Sequence, residues 1–408
     1  MDIEPDRVSG AESEKTDRSG NRMLEVLAVS FKLGLTSFGG PVAHLGYFRE
    51  EYVKKRKWLD ERSYAELVAL CQFLPGPASS QVGIGIGMVR AGLGGGLLAW
   101  IGFTLPSIVL MIAFAFFLRA FDIGGSSWIH GLKIAAVAIV AQAVLGMGRS
   151  LAPDRARAAI AVLSACGVLL LQTAFSQIAV IAAAAIIGIL LYRNKEAEQT
   201  PLELPIPISR KFAALCLALF FSLLILLPVL RFALPSDSLT LFDGFYRSGA
   251  LVFGGGHVVL PLLEREVVPS GLVSAADFLA GYGAVQAVPG PLFTFASYLG
   301  AVAGGFQGAL IATAAIFLPA FLLIAGTLPF WESLRRSPHV RGALSGVNAA
   351  VVGILLAALY DPVWTSAVRS SADFALAAIL FLLLVFWKLP PWLVVAVGAA
   401  GGWLLGLL

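Results

Sequence analysis

Long apolar stretches, each bounded by a few charges or by Gly and Pro, recur along the whole 408-residue chain. Residues 92–118, 134–148, 158–192, 212–230, 306–331 and 374–387 are nearly free of charge. About 20 apolar residues in a helix span the hydrocarbon core of a bilayer. Six hydrophobic segments come first, near 22–48, 62–90, 92–119, 129–149, 156–172 and 175–192. The polar stretch Arg193 to Arg210 holds Pro201, Pro205 and Pro207 and reads as a loop. An extra span at 211–233 follows, then six more near 244–268, 275–303, 305–331, 339–360, 372–387 and 390–407. The pattern predicts an all-α polytopic membrane protein with about 13 hydrophobic segments.

The second half repeats the first. Phe38-Gly39-Gly40-Pro41 reappears 215 positions later as Phe253-Gly254-Gly255-Gly256. Gln72-Phe73-Leu74-Pro75-Gly76-Pro77 reappears 214 positions later as Gln286-Ala287-Val288-Pro289-Gly290-Pro291. Lys32/Arg247, Gly34/Gly249, Glu51/Glu266 and Leu105-Pro106/Leu318-Pro319 match at nearly the same shift. Gly and Pro are abundant, so single matches carry little; the kept order and spacing identify a duplication. An even repeat plus one linker span sets the halves in opposite orientation, an arrangement typical of transporters. The expected layout is a disordered cytoplasmic tail at 1–21, a first repeat at 22–192, a loop with linker helix at 193–243, and an inverted second repeat at 244–408.

Charge decides between two topologies. If every segment crossed the membrane, the cluster Lys54, Lys55, Arg56, Lys57 and Arg62 would lie on the opposite side from the other basic loops. That breaks the positive-inside rule. If the first two segments of each repeat are broken, re-entrant helical hairpins turning at the Gly and Pro motifs, the basic clusters share one side. The hairpin legs are then too short to span.

The motifs suggest an anion site. Gly39, Gly40, Pro41, Pro75, Gly76, Pro77, Gly254, Gly255, Pro289, Gly290 and Pro291 interrupt helices inside apolar segments. Proline lacks an amide hydrogen, and glycine allows the reversal. New helices starting there would present free N–H groups and partial positive charge near the midplane. Gln72, Ser79, Ser80, Gln286 and Thr294 flank the breaks and can donate to an oxyanion; alternatively they bind helix to helix. Lys32 stands in an apolar leg, with Arg247 at the equivalent position. A cation at mid-membrane costs about 2.5–3.5 kcal/mol and needs a partner or ligand. Arg247 is nearer its segment end, so its replacement is expected to be the milder of the two. His44, Glu50, His257 and Asn348 are candidates for coupling or gating.

Composition agrees and excludes. The chain is 58% hydrophobic and 13% charged, with a mean hydropathy of +0.85. A net charge of +4, dispersed in short loops, gives no nucleic-acid footprint. The three cysteines sit in apolar segments and are odd in number, so no disulfide framework is expected. Four histidines without metal-ligand spacing predict no metal, and no phosphate-binding Gly-Lys-Ser/Thr loop occurs. No cofactor and no enzymatic site are expected.

Phe-Gly-Gly-Pro at 38–41, Gln-x-x-Pro-Gly-Pro at 72–77 and their echoes at 253–256 and 286–291 resemble the chromate ion transporter family. The two-part layout is similar to that of its long-chain members, and the resemblance covers roughly 24–192 and 244–408. It implies efflux of chromate across the bacterial inner membrane, with sulfate as the structural mimic and lipid as surroundings. Import, another oxyanion, a sensor or scaffold role and a homodimer stay open. Gly256 in place of Pro41, and Leu292-Phe293 in place of Ala78-Ser79, depart from the first half.

Overall fold

The computed structural model describes residues 6–121, 126–171, 176–192, 208–234, 236–253 and 255–407. The first half comprises α1 (Asp6–Thr36), α2 (Gly40–Phe48), α3 (Glu61–Phe73), α4 (Ala78–Phe121), α5 (Ser127–Leu151), α6 (Arg155–Leu170) and α7 (Ser176–Tyr192). The linker helix is α8 (Arg210–Ala233). Then come α9 (Asp237–Leu251), α10 (Val259–Val267), α11 (Ala275–Val285), α12 (Phe295–Thr327) and α13 (Trp331–Arg336). The chain closes with α14 (Pro338–Ala358), α15 (Thr365–Ala367), α16 (Ser371–Val385) and α17 (Pro391–Leu405). Among the described residues no strand occurs. Helix α1 takes in 6–21, the polar stretch read as a disordered tail.

Among the described residues, five helical stretches are long and apolar enough to cross a membrane: Ala78–Phe121, Ser127–Leu151, Arg210–Ala233, Leu292–Phe330 and Pro338–Ala367. Shorter apolar helices are Ser176–Tyr192, Ser371–Val385 and Pro391–Leu405. The thirteen apolar segments therefore do not map one to one onto helices. Segments 62–90 and 92–119 divide at Pro-Gly-Pro and join again inside α4. Within α4 the backbone breaks at Ala91 (φ −144°, ψ 28°) and Gly92 (φ 67°, ψ −162°). In α12 the same break falls at Gly304 (φ −142°, ψ 24°) and Gly305 (φ 64°, ψ −152°). These breaks fall at the boundaries between the expected segments 62–90 and 92–119, and 275–303 and 305–331. The legs on either side press together, Gly87 on Gly95 and Gly300 on Gly308. A side chain at any of these four glycines would collide with backbone.

Short antiparallel legs precede each break. Ser30 Oγ and Tyr52 OH share a hydrogen bond at 2.9 Å, Lys32 Nζ lies 3.3 Å from Glu51, and Arg56 donates to Glu25 at 3.0 Å. Positions rising along α1 thus meet positions falling along the returning π-helical stretch Arg49–Lys55, so the chain turns back at Gly39-Gly40. Arg90, at the end of the first leg of α4, donates to the same Glu25 at 2.9 Å. Two returning leg ends therefore gather at one carboxylate of α1.

The helices after the breaks are exchanged between halves. α5 of the first half packs on α16 and α17, while α14 of the second packs on α6 and α7. Glycine makes both contacts close: Gly131 against Gly398 and Gly402, Gly188 against Gly342 and Gly346. In lipid, where apolar surface gains little by leaving the solvent, such backbone-to-backbone packing is what holds helices together.

Candidate functional site

The helix starts after Ser126, Ser236 and Pro390 have no side-chain cap, while six others in polar connections carry one: Asp60, Asp154, Ser209, Ser274, Ser337 and Ser370 each accept from an N–H of the first turn. This is the ordinary way to satisfy the unpaired amides of a first turn. The starts at the breaks are of the uncapped kind. Gly39 before α2, Gly255 before the 3-10 turn Gly256–Val258 that leads into α10, and Pro291 before the turn Leu292–Thr294 that leads into α12 give no side-chain cap.

Local backbone explains why Gly and Pro stand there. Gly39 (φ 98°) and Gly40 (φ 80°) reverse the chain in the left-handed region, and Pro41 starts α2. Gly76 (φ 118°) and Gly290 (φ 98°) do the same between their prolines. The two Pro-Gly-Pro turns are stitched into the opposite half. Gly76 N–H donates to Val252 C=O at 2.7 Å, and Gly290 N–H donates to Ser37 C=O at 2.9 Å. Val252 and Ser37 are equivalent positions, each just before its Phe-Gly-Gly. A Cβ on Gly290 would stand 2.9 Å from Ser107 Oγ, and one on Gly76 3.7 Å from the Ala320 methyl. All four breaks thus meet in one central region.

Polar groups concentrate on the first-half side. Ser79, Ser80 and Gln81 in the first turn of α4 are buried. Gln81 Nε2 donates to Pro75 C=O at 2.8 Å and steadies the turn. His44, on α2, sits 3.3 Å from Ser79 Oγ and edge-on to Phe103, the ring centroids 5.3 Å apart. Ser37 Oγ, His44 Nε2, Ser80 Oγ, Gln81 Oε1, Thr104 Oγ1 and Gln286 Nε2 are buried with no hydrogen-bond partner among the described residues. Leaving a buried polar group unmade costs about 1–3 kcal/mol each. Six in one region form a cradle of donors and acceptors rather than a core.

In the second half Leu292 and Phe293 are buried where Ala78 and Ser79 stand in the first. Thr294 Oγ1 is turned back on Pro291 C=O at 2.8 Å, and His257 Nδ1 pairs with Tyr282 OH at 2.7 Å. The second set of breaks is the drier one.

The profile of the chromate transporter family matches twice, over residues 24–189 and 239–403. The chain belongs to the chromate transporter family. The double match also makes the internal duplication a property of the family's own unit. Relatives of similar length include the chromate transport proteins of Pseudomonas aeruginosa (28% identical over 391 residues, 93% of this chain and 92% of that one) and Cupriavidus metallidurans (28% over 388 residues, 93% and 92%). An uncharacterized transporter of Methanocaldococcus jannaschii is 28% identical over 366 residues, 88% of each chain. No solved structure matches. The protein is thus a multi-pass membrane transporter, not an enzyme.

Of the residues singled out in the sequence, Gly39, Gly40, Pro41, Pro75, Gly76, Pro77, Ser79, Ser80, Gly255, Gln286, Pro289, Gly290, Pro291 and Thr294 all line the breaks; Gly254 lies outside the described residues. Gln72 is exposed, unlike its buried counterpart Gln286. Glu50 pairs with Lys54 at 3.1 Å, away from the breaks. Asn348 is half-buried on α14.

Lys32 is not the unpaired cation the apolar leg suggests. Its side chain is 60% exposed and pairs with Glu51. Arg247 is the more enclosed, 20% exposed, held by Glu266 at 2.8 Å and by the buried Asp243 at 3.0 Å. Sequence reasoning passed over Ser37, Thr104 and Ser107; the last two lie in an apolar run beside the repeated Leu105-Pro106.

Proposed function

We propose that this chain exports chromate from the cytoplasm across the bacterial inner membrane, and that the tetrahedral dianion is bound where the four breaks meet. The observation that carries the reading is the pair of reciprocal hydrogen bonds, Gly76 to Val252 and Gly290 to Ser37, which bring uncapped helix starts of both halves together among unpartnered buried hydroxyls. An oxyanion needs donors from several directions and no competing carboxylate. Backbone N–H groups at a helix start supply the first with favourable partial charge. Two carboxylates of the legs beside the Gly-Gly breaks, Glu51 and Glu266, are engaged by Lys32 and Arg247.

The two halves are read as inverted in the membrane, with re-entrant legs. The gathering of Arg56 and Arg90 at Glu25 supports this, because both returning legs end level with the N-terminal side of the apolar part of α1. The reciprocal exchange of α5 and α14 supports it too. Alternating exposure of the centre would then follow from rocking one half against the other. A dianion leaving an inside-negative cell gains about 4.6 kcal/mol per 100 mV, so the potential alone suffices to drive efflux.

The test is accumulation of labelled chromate in inverted membrane vesicles under clamped potential, with sulfate as competitor. Potential-dependent uptake into inverted vesicles is expected. Uptake only into right-side-out vesicles would make the protein an importer, and sulfate flux without chromate flux would reassign the substrate.

A further inference from the structure

A second cluster of cations lies away from the central breaks. A cavity of about 600 Å³ opens between the start of α5, the start of α16 and the end of α17. Ser126, Ser127, His130, Lys133, Arg369 and Ser370 are among its walls. Lys133 is 8% exposed, and among the described residues it makes no ion pair or hydrogen bond. Its charged neighbours are Arg369 and Asp277. The remaining acid of the cavity, Asp373, is already committed. One of its oxygens accepts the N–H groups of Arg369 and Ser370, both at 3.0 Å, and the other meets His130 Nε2 at 2.8 Å. Among its described lining residues, the cavity therefore keeps two basic side chains and several hydroxyls facing space, with its one carboxylate used as a helix cap.

Topology gives no reason for these cations. Lys133 and Arg149 lie toward opposite ends of α5. If the Arg149, Arg155 and Arg157 corner is cytoplasmic, Lys133 and Arg369 lie on the face where the positive-inside rule disfavours them. Burying an ammonium without a partner is costly, and such groups inside membrane proteins mark ion pathways. The residue before Lys133 also packs against one leg of the central breaks. Leu132 C=O lies against Gly283 of α11, the leg that leads to the second Pro-Gly-Pro.

We propose that this cavity is a second oxyanion site, a waypoint for a small tetrahedral dianion between the central breaks and the face opposite the Arg149 corner, with Lys133 and Arg369 as its charged ligands. The choice of anion rests on the transport reading above; the existence of an anion site does not.

The experiment reads charge selectivity rather than flux. Ala372 is exposed and lines the cavity. With the exposed native Cys166 replaced by Ser, Ala372→Cys is labelled in purified protein by anionic and by cationic thiol reagents of equal size. The anionic reagent should react about tenfold faster, in line with the local concentration a charged cleft confers, and millimolar sulfate should slow it. Lys133→Met and, separately, Arg369→Gln should bring the two rates together and abolish sulfate protection. Arg369 is exposed, so its variant reports even if Lys133→Met fails to fold. Equal rates in the parent protein, no protection by sulfate, or unchanged selectivity in Arg369→Gln would each overturn the proposal. The labelling pattern can hold while chromate flux is absent, in which case the transport reading fails and the anion site stands.

Discussion

Pro41 and Gly256 occupy the same position in the two halves of the chain and touch: a Cβ on Gly256 would stand 3.5 Å from Pro41 Cγ. The contact brings the first turn of α2 against the start of the 3-10 turn Gly256–Val258, as expected near the axis if the two repeats are inverted as proposed above. The halves are unequal at that point, since proline opens one helix and glycine the other.

Gly76 tests whether the breaks bind substrate or merely bend the chain. Its φ of 118° is open to glycine and strained for a β-branched residue, and a Cβ would approach Gln81 Nε2 to 3.0 Å. Gly76→Val is expected to lower chromate flux by more than about tenfold, a loss of roughly 1.4 kcal/mol or more in the transition state for translocation. Protein yield should fall far less. Normal flux in this variant would leave the turn with a packing role only.

Lys32 and Arg247 should rank in the order opposite to that suggested by their distance from a segment end. Lys32 is largely exposed and Glu51 keeps Arg56 as a second partner at 3.2 Å, so Lys32→Gln should cost about 1 kcal/mol or less in stability. Arg247 neutralises two enclosed carboxylates, and Arg247→Gln leaves Asp243 with only Arg231 at 3.6 Å. A cost of about 3 kcal/mol is expected there. Thermal unfolding of both variants in detergent decides the order, and a larger loss for Lys32→Gln would contradict it.

Two glycines on one helix provide a matched pair. Gly131 of α5 faces the backbone of Gly398 so closely that a methyl would lie 2.1 Å from its carbonyl oxygen, whereas Gly146 meets nothing within 4 Å. Gly131→Ala should destabilise by about 1–3 kcal/mol through forced separation of α5 and α17. Gly146→Ala should be neutral or gain about 0.5–1 kcal/mol from helix propensity. Equal melting temperatures for the two would argue against the exchanged packing of the halves.

Membrane sidedness is checked at the basic loop. Lys54 is exposed and lies two residues before Arg56, which bonds Glu25. Lys54→Cys should be labelled from the cytoplasmic side, together with Lys211→Cys at the start of α8. Ser63 is a poor reporter, because it is buried and its Oγ is bound to Asp60 at 3.0 Å. Labelling of Lys54→Cys from the periplasm alone would restore full spans in place of the re-entrant legs.

Sequence by itself determined the solvent, the duplication and the places where helices break. Each of these is local or nearly so: hydropathy acts over one span, a repeat is visible as matched text, and Gly39, Gly76 and Gly290 declare a backbone that other residues resist. The segment boundaries at 91 and 304 mark the breaks at Ala91-Gly92 and Gly304-Gly305, but not that the legs fold back so that Gly87 meets Gly95 and Gly300 meets Gly308. Tertiary structure alone decided which residues share the centre. Ser37 meets Gly290, and Val252 meets Gly76, across more than 170 residues of chain through backbone amides that carry no side-chain signature. It also decided the cations. Lys32 in an apolar leg looks unpaired until the returning leg delivers Glu51, and Lys133 looks ordinary until α16 and α17 close a cavity around it. A charge in a membrane protein is defined by what stands beside it, and that depends on packing between distant segments.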